Sequence, residues 1–265
     1  MMLSSQINSN DQSKIWEYEY EAEDPNFPEM PKITPGESQP DSERVSSFVY
    51  PGGILAVHAE GRGKNKIWAA LKNKNVYGTS GPRILLWFNL INSPEGHVPM
   101  GSEIIMSQNP RFIVRAAGSF KQKPGCSNES IDSLSPERLE YLCAGECYNP
   151  SNEREVIEKI EVIKITPQIY AGESITPLIQ DPWRTIPCQG TGECIVEFED
   201  QNFSRDSVYY VRAIQSPTLA INGSPLIQRN SFKLCKGSFR TDLKDDCLSM
   251  TNERAWSSPI YVDKP

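Results

Sequence analysis

The segment Ile54-Leu55-Ala56-Val57-His58-Ala59-Glu60-Gly61-Arg62-Gly63-Lys64-Asn65-Lys66-Ile67-Trp68-Ala69-Ala70-Leu71 changes its periodicity halfway along, and that change decides the expected fold. Ile54 to His58 is a short apolar run suited to a buried strand, entered from the turn Pro51-Gly52-Gly53. Gly61 to Gly63 break the run. Lys64 to Asn73 then sets Ile67, Trp68 and Leu71 on one helical face, with Asn65, Lys66 and Asn73 off it. A second turn, Gly78-Thr79-Ser80-Gly81-Pro82, delivers the chain to Arg83 to Ile91, whose apolar density suits a central strand. Strand, helix and strand in this order form the signature of one α/β crossover, a piece of a parallel sheet or barrel.

Downstream of Pro99 the period becomes two. Strands are predicted at Arg111 to Ala116, Lys159 to Ile165, Cys194 to Phe198, Ser207 to Ile214 and Pro259 to Val262, and the stretch from Asp181 onward has the cadence of a fibronectin-like sandwich. One helix interrupts them, opened by Ser135 as N-cap with Pro136 in first position and closed at Gly145. It belongs to an inserted excursion between about residues 126 and 148. Upstream, residues 1–48 are acidic and proline-rich, with Pro25, Pro28, Pro31, Pro35 and Pro40 opposing any sustained element, and read as a loosely held leader. The fold class expected is α+β, mostly β: a leader over 1–48, a terminal strand-helix-strand piece of an α/β barrel over 49–98, and an antiparallel, sandwich-like β region over 99–265.

The 21 prolines and 17 glycines among 265 residues agree with many turns between short strands. A net charge of -7 opposes a polyanion partner, and the Lys and Arg residues form no basic stripe, so nucleic acid is not expected. No run approaches the roughly 20 apolar residues of a membrane-spanning helix. The N-terminus has neither a basic start nor an apolar core, so no export signal is visible in it. The seven cysteines point the other way. Cys188 and Cys194 bracket a glycine-bearing turn and Cys235 and Cys247 flank a polar loop, so both pairs are disulfide candidates. Cys126, Cys143 and Cys147 leave a pair with one thiol over. Disulfides imply an oxidising compartment.

Chemistry is sparse. Of the two histidines, His58 stands with Glu60 at the end of the first strand, followed by a glycine turn and Arg62. Strand ends are where α/β folds gather ligands, but a hydrolytic metal centre takes about three or more protein ligands and two converge here. His58, Glu60 and Arg62 are therefore candidates for the rim of a site, and no metal ligand set is assigned. Gly78 to Arg83 could offer backbone N–H groups and the Arg83 guanidinium to an anion, without the glycine spacing or lysine of a phosphate-binding loop. There is no Gly-x-Ser-x-Gly elbow. Glu197, Glu199 and Asp200 read as a solvated strand end, while Trp183 and Trp256 read either as plugs of the core or as a glycan- or protein-binding face.

The ordered series Gly52-Gly53-Ile54-Leu55-Ala56-Val57-His58-Ala59-Glu60-Gly61, Ile67-Trp68-Ala69-Ala70-Leu71, Val76-Tyr77-Gly78-Thr79-Ser80-Gly81-Pro82-Arg83-Ile84, Asp181-Pro182-Trp183, Tyr209-Tyr210-Val211-Arg212-Ala213-Ile214 and Ala255-Trp256-Ser257-Ser258-Pro259-Ile260 resembles the C-terminal part of a bacterial family, domain of unknown function 3604, from about Val49 to the C-terminus. The resemblance implies a relation to metal-dependent phosphoesterases of the polymerase and histidinol phosphatase type, α/β barrels with a divalent metal held by His, Asp and Glu. Their His-x-His and Asp-x-His motifs are absent here, and nothing before Val49 is a histidine. The implied reading is a truncated or split member of a hydrolase-like family with no cofactor and no independent catalysis in this chain, descended from an exported, periplasmic or secreted ancestor. Two alternatives are a free-standing β-rich module that binds glycan or protein, and a subunit that completes a barrel with a separate N-terminal half-barrel chain.

Overall fold

The computed structural model describes residues 52–143, 147–220, 227–228, 231–232 and 249–265. The leader over 1–48, the expected helix end at Gly145, and Cys235 and Cys247 lie outside the described residues. In chain order the elements are β1 (Ile54–Val57), α1 (Lys64–Lys72), β2 (Val76–Thr79), β3 (Leu85–Ser93), β4 (Gly96–Pro99), β5 (Glu103–Ile105), β6 (Arg111–Ala117), β7 (Phe120–Pro124), α2 (Asn128–Ser133), α3 (Pro136–Cys143), β8 (Tyr148–Arg154), β9 (Ile157–Ile165), β10 (Ile179–Pro187), β11 (Glu193–Glu199), β12 (Ser207–Ala220), β13 (Ile227–Gln228), β14 (Ser231–Phe232), β15 (Ser249–Ser257) and β16 (Ile260–Asp263).

Two antiparallel sheets carry the core. The larger runs β1-β2-β15-β12-β9-β10, with β16 taking over from β15 along the first half of β12 and β5 lying parallel outside β16. The smaller is β11-β6-β3-β4. Period-two alternation turns one face of each sheet inward. Leu86, Phe88 and Leu90 on β3 and Phe112, Val114 and Ala116 on β6 meet Ile160 and Val162 on β9 and Tyr209, Val211 and Ala213 on β12, all fully buried. Aromatic rings lock the layers together: the Phe112 centroid is 4.8 Å from that of Tyr209 across the interface, and 5.0 and 5.3 Å from those of Phe198 and Phe88.

Between β15 and β16 the motif Ser257-Ser258-Pro259 moves the strand from one neighbour to another. Pro259 has no N–H to give a ladder. Ser257 Oγ accepts the Val211 N–H at 3.0 Å, Ser258 N–H reaches Val76 O at 3.1 Å, and Pro259 O accepts from Gly101 N–H at 2.8 Å. Gly101 has φ +91°, and a Cβ there would sit 2.5 Å from the Asn73 carbonyl oxygen, so only glycine lets this corner lie against the turn after α1.

The barrel piece expected over 49–98 is not what forms. Its strand, helix and strand are present, but β1 pairs with β2 antiparallel, Val57 opposite Val76, and β3 leaves for the smaller sheet. The cause is the turn that follows α1. Lys74 takes a left-handed φ of 58°, and His58 N–H bonds Asn75 O at 2.9 Å, so the chain folds back beside β1 with α1 held in the loop of a hairpin. The helical face fares differently from expectation as well. Ala70 is the buried residue of α1, while Ile67, Trp68 and Leu71 are exposed.

Among the described residues two disulfides close local loops. Cys188 is bonded to Cys194 across the connection from β10 to β11, and Cys126 to Cys147 across the base of the excursion that holds α2 and α3. Ser135 caps α3 through Arg138 N–H to Oγ at 3.2 Å. Among the described residues no helix is long and apolar enough to cross a membrane.

Candidate functional site

His58 stands one residue past the end of β1, where the hairpin base fixes its backbone. Its Nε2 lies 2.8 Å from the Leu86 carbonyl, which can only accept, so Nε2 is the donor in this bond. The ring rests between Tyr77 and Trp87, at centroid distances of 5.2 and 5.7 Å. With Glu60, Asn75, Trp87 and Asn89 it lines a cleft of about 340 Å³.

Glu60 is exposed at the mouth of that cleft and pairs with Lys66 on the first turn of α1 at 2.7 Å. The hydrogen bond from Lys66, and then its charge, hold the Glu60 carboxyl below the usual carboxylate range, and Lys66 is raised in return. Arg62 lies in the exposed turn between them. Arg83 is exposed after the second turn, whose N–H groups are engaged internally: Ser80 N–H with Arg254 O at 3.0 Å and Gly81 N–H with Thr79 Oγ1 at 3.3 Å. Ser80 Oγ also donates to the buried Glu253, tying the Thr79-Ser80-Gly81 turn to β15.

This set offers one imidazole and one ion-paired carboxylate. Among the described residues no group of three or more His, Cys, Asp and Glu is placed to hold a metal ion. The described residues do not fit a metal centre by themselves, and no catalytic step is derived through one.

The hairpin that carries His58 also exposes apolar side chains. Ile54 and Leu55 on edge strand β1 and Ile67, Trp68 and Leu71 on α1 are exposed, Leu55 at 59% and Trp68 at 61%. Lone exposed apolar residues are ordinary, but these five fall within eighteen positions of one hairpin. Trp183 is different. It packs on Phe198 and Tyr209, with the Arg184 guanidinium 4.2 Å from its ring centre, and so acts as a plug of the core.

A second polar cluster escapes the sequence reading. Asp200, grouped there with a solvated strand end, is buried, and its Oδ2 accepts from Lys164 Nζ and from Tyr209 OH. Burial pushes the Asp200 carboxyl up, but bonds from Lys164 and Tyr209, the Lys164 charge and the Asn202 N–H outweigh it and hold the group below its ordinary value. Burial, and then the adjacent Asp200, push the Tyr209 phenol far up. The signal was in the alternation of Ile160, Val162 and Lys164, which puts a lysine on the inward row.

Residues 8–124 match the model of a family described as protein of unknown function, DUF3604. The match supports the resemblance to that family. It starts inside the leader and stops at the end of β7, whereas the resemblance was expected to run from Val49 to the C-terminus; the motifs at Asp181, Tyr209 and Ala255 lie beyond the DUF3604 match. His58, Glu60, Arg62, Arg83 and the exposed hairpin all lie within it. No curated protein and no solved structure matches the chain.

Proposed function

We propose that this chain is the β-rich, C-terminal part of a hydrolase-like member of the DUF3604 family, truncated or split from the metal-bearing portion, and that it does no catalysis alone. The observation that carries this reading is the exposed apolar surface of β1 and α1, on the same hairpin that carries His58. A barrel of the polymerase and histidinol phosphatase type, with its divalent metal, would cover that face and leave His58, Glu60 and Arg62 at the rim of its site. The two disulfides are compatible with export.

Purified chain supplied with divalent metal and generic phosphoesters should show no turnover; metal-dependent hydrolysis abolished by His58→Ala would overturn the proposal. A histidine-rich partner chain, carrying His-x-His and Asp-x-His segments and encoded just upstream, should co-purify with it. Leu55→Lys with Trp68→Ser should release that partner while leaving the sandwich folded.

A further inference from the structure

Lys164 and Asp200 come from opposite layers of the sandwich. Lys164 ends the inward row of β9 in the larger sheet, and Asp200 follows β11 of the smaller one. Their side chains are 12% and 1% exposed, and Lys164 Nζ is in contact with Asp200 Oδ2. Around them Nζ lies 5.5 Å from the Trp183 ring centre and 5.8 Å from that of Tyr209, with Phe198 and Phe112 packed against those rings.

Two fixed donors address the carboxyl group. Tyr209 OH donates to Oδ2 at 2.5 Å, and Asn202 N–H donates to Oδ1 at 3.1 Å. An amine in contact with one oxygen of a carboxyl group, each of whose oxygens accepts from its own fixed donor, is held beside an acyl carbon, and negative charge that develops on oxygen is met by a group already in place. The surroundings favour the neutral product over the starting pair. Two opposite charges out of water carry a desolvation penalty that an amide does not.

We propose that Lys164 and Asp200 become joined by an intramolecular isopeptide bond that staples the two sheets. Within the pair, the ammonium passes one proton to the carboxylate. The proton goes to Oδ2, the oxygen that Lys164 touches; the neutral Nζ attacks Cγ, and the Nζ–Cγ bond forms while the charge that develops on Oδ1 is met by the Asn202 N–H. One Cγ–O bond then breaks, and its hydroxyl leaves with a proton from nitrogen as water. No oxidant, reductant or co-reactant enters. Tyr209 is the positioning residue for this step, because its hydroxyl bonds Oδ2, the oxygen that leaves.

The test is the intact mass of the full chain, denatured and fully reduced so that cystines contribute nothing. The mass should fall one water below that calculated from the sequence, and proteolysis should yield a branched peptide that joins the Lys164 segment to the Asp200 segment. Lys164→Arg and Asp200→Ala should return the chain to its full calculated mass. Tyr209→Phe keeps the ring and removes the hydroxyl, and should leave a larger unjoined fraction than the parent chain at equal times. The parent measurement does not depend on any variant folding. A parent chain at full calculated mass, or a water loss that maps to any other pair of residues, overturns the proposal.

Discussion

The two sides of the larger sheet break the usual rule of burial in opposite senses. Toward the β1 edge, β1 and α1 hold apolar side chains out in solvent; toward the β10 edge, Lys164 and Asp200 hold charge inside the core. An exposed apolar face costs little in the isolated chain and is stabilising once covered, at about 25 cal/mol per Å² of apolar surface removed from water. A buried charge pair does the reverse: it adds little net stability while intact and is expensive to break. The first region therefore leaves apolar area that a partner of the kind proposed would cover. The second ties the two layers of the chain to each other.

The sharpest way to break that contrast is to remove one aromatic side chain from each kind of environment. Phe112→Ala takes away a ring that touches Phe88, Phe198 and Tyr209 and should cost about 3–5 kcal/mol of unfolding free energy, read as a lowered urea midpoint. Trp68→Ser should change stability by no more than about 0.5 kcal/mol in the same titration. Equal losses at the two positions would mean that α1 is part of the core after all.

Much of the architecture was legible. The period-two runs placed β6, β9, β11, β12 and β16 within a residue or two, apart from the extension of β12 to Ala220, because half-buried strands write their faces into alternating residue types. The topology of the first unit was not legible. Ile54 to Leu71 has the same strand and helix periodicity whether the chain crosses over or doubles back, and the decision lies in the Lys74 turn and the hairpin base at His58, which periodicity does not encode. The polar residues divided in the same way. His58, Glu60 and Arg62 drew notice by type and position, whereas Asp200 looked like its solvated neighbours until the fold turned it inward.

The buried pair sharpens the comparison next. Lys164→Met leaves Asp200 charged and unpaired in the core, and should cost about 3–5 kcal/mol. Lys164→Met with Asp200→Leu removes both charges and should cost less than the single change, by equilibrium denaturation. A double variant as damaged as the single one would mean that the joining of the two sheets, and not the uncompensated charge, sets the loss.

Removing Cys188–Cys194 by paired serine substitution should cost about 2–4 kcal/mol, because the bond closes a loop whose two ends both pack against the core. The same change at Cys126 and Cys147 should act locally. Most residues of α2 and α3 are exposed, so hydrogen exchange should quicken within the excursion while the sandwich midpoint holds.

The smallest effect is a matter of pH, in the loop between β9 and β10. Glu173 accepts from Arg205 Nη1 and Nη2 at 2.8 and 3.1 Å and from the Ile169 N–H at 2.9 Å. The Arg205 bonds first, and then the Ile169 N–H, lower its carboxyl from 4.5 to about 2. A depressed folded value means that the pair contributes fully above the unfolded value near 4.5 and is lost as pH falls toward about 2. Protection of the Ile169 amide, after correction for intrinsic exchange, should therefore fall across that window, and Glu173→Gln should flatten the dependence. This loop leads directly away from Lys164, so the comparison has a last consequence. If acid loosens the loop while the Tyr209 and Val211 amides stay protected, the inward charge pair is held by the sandwich itself. If both loosen together, its burial depends on the Glu173–Arg205 clasp.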